Sequence, residues 1–400
     1  MNIAIDTNCI LPGRVGGIEN YTLGLIEALK RGDSPGSRLV LITRPENHEL
    51  FAGYADDMTM VHCIDRPTHD GLPVGNWADL LARDPVAGRT AMEAFALQKS
   101  ELLRRHGVEL VHFPGNTINP LELKLPTVLN LHDLQHRHFP QYFSPQEIEN
   151  RERWWAASAH RADALIAASN YVRDDLQAQL GIDRSKIFVT PDVFQSDFLR
   201  EPHQVELDAL RIRLSLPAKF FIYPAAIWPH KNHHRLIRAF IAANIPGSEL
   251  ILTGGGERAA DLAKLIDGMG ARHRIKMLGR VSTQDLIGLY HMATALIFPS
   301  EHEAWSIPIM EAMACGCPVA SSNVTSLPEE IGDAGLLFSP DDTMEMCLTM
   351  KRLASDADLR TTLAAKGKVR VKQFGPETFL RTLKQAYEFA VRSHPNRKAA

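Results

Sequence analysis

Residues 295–319 constrain the fold more than any other stretch, and they read ALIFPSEHEAWSIPIMEAMACGCPV. Four apolar residues, Ala295, Leu296, Ile297 and Phe298, form a strand that stops at Pro299. A polar loop follows, carrying Glu301 and Glu303. Pro308 then opens a helix that runs through Glu311, Met313 and Ala314 and ends near Gly316 and Pro318. Proline suits the first turn of a helix because the amide it lacks would be unpaired there anyway. Glu303 therefore lies in a loop at the open N-terminus of a helix, and Glu311 lies about one turn in. Such an end, with unpaired N–H groups, is a natural anion site. Two acids beside it would repel phosphate but hydrogen-bond hydroxyl pairs well, which suits a sugar joined to a phosphate. The plainer alternative is one strand–loop–helix unit of an α/β core with two solvated glutamates.

A chain of 400 residues exceeds one ordinary core and predicts two domains. A net charge of -3 argues against a dedicated nucleic-acid binder, which would show a basic excess. No apolar run approaches the roughly 20 residues that span a bilayer. Residues 1–6 lack the basic and long apolar regions of a signal peptide and read as a first strand. Five dispersed cysteines, with no C-x-x-C, fit a reducing cytoplasm and no structural zinc.

The first half alternates strands and helices. A strand at residues 2–5 runs into a loop with Gly13, Gly16 and Gly17, then a helix over 18–30 with Ile18, Tyr21, Leu25 and Leu29 on one face. The Gly-x-x-Gly-Gly spacing is not the dinucleotide fingerprint, and its glycines let another group approach the backbone. A second strand covers 38–43, and residues 44–88 read as irregular. A helix over 91–106 carries Lys99, Arg104 and Arg105. That basic stretch fits a solvated helix end, with peripheral contact on an anionic lipid surface as the alternative. Further strands are expected at 108–113, 127–131, 164–168 and 187–189, with helices at 147–160 and 171–180. His132 and Asp133 close a strand, where open α/β sheets place ligand groups. His132, His136 and His138 lie in a loop-like segment at poor spacing for metal, so no metal is assigned.

The second half restarts the pattern. A strand at 220–224 leads to Ala225-Ala226-Ile227-Trp228-Pro229-His230-Lys231 and a helix at 233–243, which puts Lys231 just before a helix, a position fit for a diphosphate. A strand at 249–252 feeds Gly254-Gly255-Gly256. A strand at 275–278 precedes Gly279 and Arg280, and residues 326–329 read as a turn. Asp356-Ala357-Asp358 has the form of a metal-binding D-x-D but sits in a polar helical tail and reads as solvated surface.

Glu303 and Glu311 with seven residues between them, Pro308, and the Ala-Met-Ala-Cys-Gly-x-Pro-Val run together resemble the retaining family 4 glycosyltransferases of GT-B type, such as bacterial polysaccharide and O-antigen mannosyltransferases. The resemblance covers nearly the whole chain and is most specific over 219–340. It implies an α/β GT-B fold of two doubly wound, Rossmann-like domains: 1–200 on the acceptor side, 201–375 for the donor, and a helix over 376–400 crossing back to the first. It implies transfer of a hexose, with a mannose-like sugar expected, from a nucleotide-diphosphate sugar to a hydroxyl of a glycan or lipid-linked acceptor. Glu303, Lys231 and His132 would be catalytic. Gly16, Gly17, Gly255, Arg280, Trp305, Ser306, Ile307 and Glu311 would bind donor, Glu311 through the ribose. No metal or other cofactor is needed if fixed cations stabilise the leaving diphosphate. The expected location is cytoplasmic, with peripheral contact at the inner face of the plasma membrane as the membrane alternative. The chain departs from the family at Ala304-Trp305-Ser306, usually Gly-Phe-Gly, and at Ala225, Ala226 and His230, where the family has glycine and a further basic residue. Two rival readings remain: a nucleotide-sugar epimerase or hydrolase on the same fold, and a catalytically silent GT-B regulatory subunit.

Overall fold

The computed structural model describes residues 1–11, 17–31, 38–64, 68–69, 72–73, 80–81, 83–256 and 258–395. They form two compact units, residues 1–191 with 376–400 and residues 192–375.

The first unit is built on a seven-stranded parallel sheet. Its strands are β1 (Ile3–Asp6), β2 (Leu39–Thr43), β3 (Thr59–Cys63), β6 (Leu110–Phe113), β7 (Thr127–Asn130), β8 (Ala164–Ala167) and β9 (Ile187–Val189), in the order β3-β2-β1-β6-β7-β8-β9. A small antiparallel ribbon, β4 (Thr68–His69) and β5 (Leu72–Pro73), stands apart from it. Strand β3 falls inside the region that reads as irregular, and β2 pairs with it from Leu39↔Thr59 to Thr43↔Cys63. Strands β2, β6, β7 and β8 are buried at every position, as parallel strands covered on both faces must be.

Helix ends follow local chemistry. Ser144 caps the Pro145–Arg161 helix with a reciprocal Glu147 capping box, and Ser169 caps Asn170–Leu180. The last helix, Pro376–Ser393, packs on the first unit's sheet. His112 Nδ1 lies 2.8 Å from the Tyr387 hydroxyl, and His394 Nδ1 lies 3.1 Å from Asp163 Oδ2.

The second unit has a six-stranded parallel sheet: β10 (Lys219–Pro224), β11 (Ser248–Thr253), β12 (Ile275–Gly279), β13 (Ala295–Phe298), β14 (Val319–Ser322) and β15 (Gly335–Phe338). Their order is β12-β11-β10-β13-β14-β15. Residues 192–200, placed with the first half from the sequence, belong to this unit. Phe198 is buried there, its carbonyl 3.5 Å from Cys315 Sγ and its ring against Tyr290. The turn expected at 326–329 is the start of a helix, Leu327–Ile331, and the segment after Asp133 makes a short helix, Gln135–His138.

Each sheet reverses its winding once, between β1 and β6 in the first unit and between β10 and β13 in the second. The crevice at the carboxyl ends of the strands flanking such a reversal is where open α/β sheets bind ligands. Among the described residues, no helix is long and apolar enough to cross a membrane.

Candidate active site

The second unit's reversal point is closed by two loops. The loop after β10 turns through Pro229–Lys231 and enters the His233–Ala243 helix at Asn232, whose φ of 57 is left-handed. Asn232 Nδ2 donates to the carbonyls of Pro299 and Pro340, at 3.1 and 3.0 Å, and so ties this loop to the end of β13. Tyr223 donates its hydroxyl proton to the Lys231 carbonyl at 2.8 Å.

The loop after β13 carries Glu303. Lys231 Nζ donates to Glu303 Oε1 at 2.6 Å, and the ammonium lies 5.6 Å from the centroid of the Phe298 ring. Glu303 is only 8% exposed, so the pair is a largely desolvated one. The Glu303 N–H donates to Thr325 Oγ1 at 3.1 Å, and Ser326 Oγ donates to the Glu303 carbonyl at 3.1 Å. Thr325 has a φ of 54, unusual for a β-branched residue. Such strain costs about 1–3 kcal/mol and gathers at functional sites.

The helix Ile307–Ala314 follows. Ser306 caps it by accepting the Ile309 N–H on Oγ at 3.4 Å. The Ser306 N–H is engaged by both carboxylate oxygens of Glu330, at 3.0 Å each. Pro308 has no N–H and the Ile309 and Met310 amides bond back to Ser306, so among the described residues the Ile307 N–H is the first-turn amide left without an acceptor. Trp305 is 6% exposed, with its ring against Phe374 at 4.9 Å between centroids. Its ring is therefore packed into the core. Glu311 Oε2 lies 3.3 Å from the Tyr290 hydroxyl, which also reaches the Pro308 carbonyl at 3.2 Å. Burial pushes the Glu311 carboxyl up to about 7, against the opposing Tyr290 hydrogen bond.

A third loop lies beside the Lys231 loop. Gly254 has a φ of 107, and a Cβ there would sit 2.3 Å from the Ala225 carbonyl oxygen. Ile227 donates its N–H to the Gly255 carbonyl at 3.1 Å. Arg280 is exposed, with its Cγ 3.9 Å from where a Gly255 Cβ would stand. The second unit thus brings Lys231 and Glu303 into contact, groups Ser306, Ile307 and Glu311 on one loop and helix, and sets Gly255 beside Arg280. Of the histidines, His230 and His233 are driven by burial, with Lys231 adding to it, down to about 2 and about 4. They are neutral near pH 7 and add no charge to the site.

His132 and Gly17 belong to the first unit. Gly16 lies outside the described residues, and Gly17 opens the Gly17–Arg31 helix. His132 Nε2 lies 2.8 Å from the Pro114 carbonyl, which only accepts, so that nitrogen carries the proton. Asn116 fixes the His132 backbone at 2.9 Å, and Tyr21 packs edge-on at 5.4 Å. The other histidines of this stretch have separate partners, Glu152 for His136 and Asp175 for His138. Lys99 is not part of a basic surface: it is buried against Asp6 at 2.5 Å. Asp356 caps the Ala357–Arg370 helix through the Leu359 N–H.

Glu330, Thr325 and Tyr290 are not picked out as site residues by the sequence. The spacing of Ser326 to Glu330, i to i+4 on a short helix begun by proline, is the available signal, but it says nothing about burial.

Two family models match the chain, Glycosyltransferase Family 4 over residues 15–193 and Glycosyl transferases group 1 over residues 211–370. The chain belongs to the family 4 glycosyltransferases. It is 27% identical to the O-antigen chain mannosyltransferase B of Escherichia coli over 383 residues, 93% of this chain and 96% of the relative. It is 28% identical over 207 residues to the serotype-specific mannosyltransferase WbdA of Escherichia coli, half of this chain and 25% of that protein. The fold is GT-B. Anabaena Alr3699/HepE, solved in complex with UDP and glucose, aligns with a TM-score of 0.73 at 19% identity, covering 97% of this chain and 99% of that one.

Proposed function

We propose that this glycosyltransferase moves a mannose-like hexose from a nucleotide-diphosphate sugar to a hydroxyl of a glycan or lipid-linked acceptor, with retention at the anomeric carbon. The observation that carries the reading is the Lys231–Glu303 pair at the second sheet's reversal point. The mannosyl assignment is supported by the O-antigen relative that matches nearly end to end.

The barrier is charge separation. The bond from the anomeric carbon to the leaving phosphate oxygen breaks while the bond to the acceptor oxygen forms. The acceptor's proton goes to the departing diphosphate. Preorganised donors aimed at the developing charge are often the largest catalytic contribution. Lys231 Nζ and the open Ile307 amide fill that role. In the free protein Lys231 and Glu303 satisfy each other. A bound donor gives each a new partner, diphosphate oxygens for the ammonium and sugar hydroxyls for the carboxylate. Glu311 accepts ribose hydroxyls. Arg280 and the Gly255 loop flank the nucleotide. No metal or covalent enzyme intermediate is required.

Melting curves with UDP-, GDP- and ADP-sugars test the donor, because a ligand that binds only the native state raises its melting temperature. A GDP-mannose shift and an α-linked mannosyl product are expected. Lys231→Ala and Glu303→Ala should each lower transfer by about 10²–10³-fold, the usual loss for one such stabilising group, while the protein stays folded. Hydrolysis of donor with no acceptor dependence would favour the hydrolase reading, and unchanged transfer in either variant would remove that residue from the site.

A further inference from the structure

The first unit has its own reversal point, between β1 and β6, and the loop after β6 forms one wall of a pocket of about 340 Å³. The helix Pro145–Arg161 supplies the opposite wall through Asn150, Arg151, Trp154 and Trp155. Met92 closes the floor. From Lys231, Glu303 and the donor-side loops nothing is shared with it, since those lie in the other unit.

The two tryptophans differ. Trp155 is spoken for: His136 packs edge-on at 5.2 Å and the Arg151 guanidinium lies 4.7 Å from its ring centroid. Arg151 also stacks on Phe143 at 4.2 Å, so its cation is held in an aromatic bracket. Trp154 is half-buried and, among the described residues, has neither a ring partner nor an acceptor for its indole N–H. The Asn150 side-chain amide and the Thr117 hydroxyl, both on the pocket wall, are likewise without partners among the described residues. The wall itself is tied down by two hydrogen bonds. Ile118 donates its N–H to Ser158 Oγ at 3.0 Å, and buried Lys99 donates to the Asn119 carbonyl at 2.7 Å.

We infer that this pocket is a binding subsite for a pyranose unit of the acceptor glycan, with Trp154 as its platform and Asn150 and Thr117 as its polar contacts. The ligand class follows from the chemistry. A pyranose presents a C–H face and a rim of hydroxyls, which matches one open aromatic surface beside an amide and a hydroxyl. Tryptophan combines a large apolar body with a polar N–H. An apolar ligand would bury Asn150 and Thr117 unpaired, at about 1–3 kcal/mol each. An anion would find only Arg151, already stacked. The volume lies in the range of preformed small-ligand sites, about 300–1,000 Å³.

The inference rests on the transferase reading for calling the ligand an acceptor. The test separates the two. Tryptophan fluorescence of the full chain is titrated with an α-linked mannotriose, with maltotriose, and with UDP and GDP, while donor binding is followed separately by the melting shift with nucleotide-sugars. A saturable change with at least one trisaccharide is expected, reduced tenfold or more in affinity in Trp154→Ala, several-fold in Asn150→Ala, and largely kept in Trp154→Phe. In transfer assays Trp154→Ala should raise the acceptor KM far more than it lowers kcat, and should leave the donor melting shift unchanged. The inference is overturned if the donor shift is present but neither trisaccharide binds, if Trp154→Ala binds as the parent does, or if the nucleotides compete with the trisaccharide for this pocket. Loss of the donor shift itself would instead sink the transferase reading.

Discussion

Glu330 holds the Ser306 amide between both of its carboxyl oxygens, and its Oε1 lies 2.6 Å from the Ser326 hydroxyl. The carboxyl is fully buried at the mouth of the Ile307–Ala314 helix. An acid here occupies one of the amides at the helix mouth, and among the described residues the Ile307 N–H is left without an acceptor. Glu330 also orders the loop that carries Glu303, because Ser326 binds the Glu303 carbonyl as well.

Burial pushes the Glu330 carboxyl up to about 8, against the opposing hydrogen bonds from Ser326 and Ser306. The sign follows. Between its ordinary value near 4.5 and about 8, the folded protein holds a proton at this site that the unfolded chain has released. The stability this proton confers is complete below about pH 4.5 and is lost as the pH rises through about 8, by up to about 1.4 kcal/mol per pH unit. Glu330→Gln keeps the shape and an acceptor for the Ser306 amide but cannot ionise. The variant should show a flatter fall in melting temperature between pH 5 and pH 8 than the parent. Equal slopes in the two proteins would show that Glu330 does not titrate in this window.

Gly254 is a second point where one residue sets a loop. Its φ of 107 and the 2.3 Å approach of any Cβ to the Ala225 oxygen leave room for glycine alone. Gly254→Ala should push the 254–256 loop off the Lys231 loop and destabilise the second unit. Backbone strain alone accounts for about 1–3 kcal/mol of that, and the melting shift given by nucleotide-sugars should shrink with it. Gly255→Ala is the control, since its Cβ meets nothing nearer than Arg280 Cγ at 3.9 Å. If both variants melt alike, the close approach at Gly254 is not what holds the loops.

Much of this architecture is written locally. Strands β9 and β13 sit where their apolar runs place them, and Ser169, Pro308 and Pro376 lie at helix starts because caps and prolines act within one turn. The units' internal wiring is not local. Lys99 reads as one of three cations on a helix, and only its contact with Asp6, 93 positions away, reveals it as a buried ion pair. The turn read over 326–329 stops short of Glu330, and only folding shows that this acid rather than Glu329 is buried. Strand β3, TMVHC, carries a histidine and follows two aspartates, so its pairing with β2 is visible only once the sheet exists. The sequence puts Lys231 just before a helix and Glu303 in a loop after a strand, and only the sheet order makes those two loops neighbours. Their 2.6 Å contact is a property of side chains that no spacing rule contains.

The Lys99–Asp6 pair makes a prediction of its own. Lys99 is 2% exposed, and its ammonium donates to Asp6 and the Asn119 carbonyl and lies 5.6 Å from the Phe113 ring centroid. Asp6 ends β1, and Asn119 lies on the loop after β6, so one cation ties together the two strands at the first unit's reversal point. Breaking a buried pair from one side leaves an uncompensated charge, which costs about 3–5 kcal/mol. Lys99→Met should lower the unfolding free energy extrapolated from urea melts by an amount of that size at pH 8. Asp6→Asn combined with Lys99→Met should restore more stability than Lys99→Met alone retains, since no charge is then left without a partner. A Lys99→Met chain as stable as the parent at pH 8 would mean that the ion pair, however close, adds nothing that the surrounding apolar packing does not already supply.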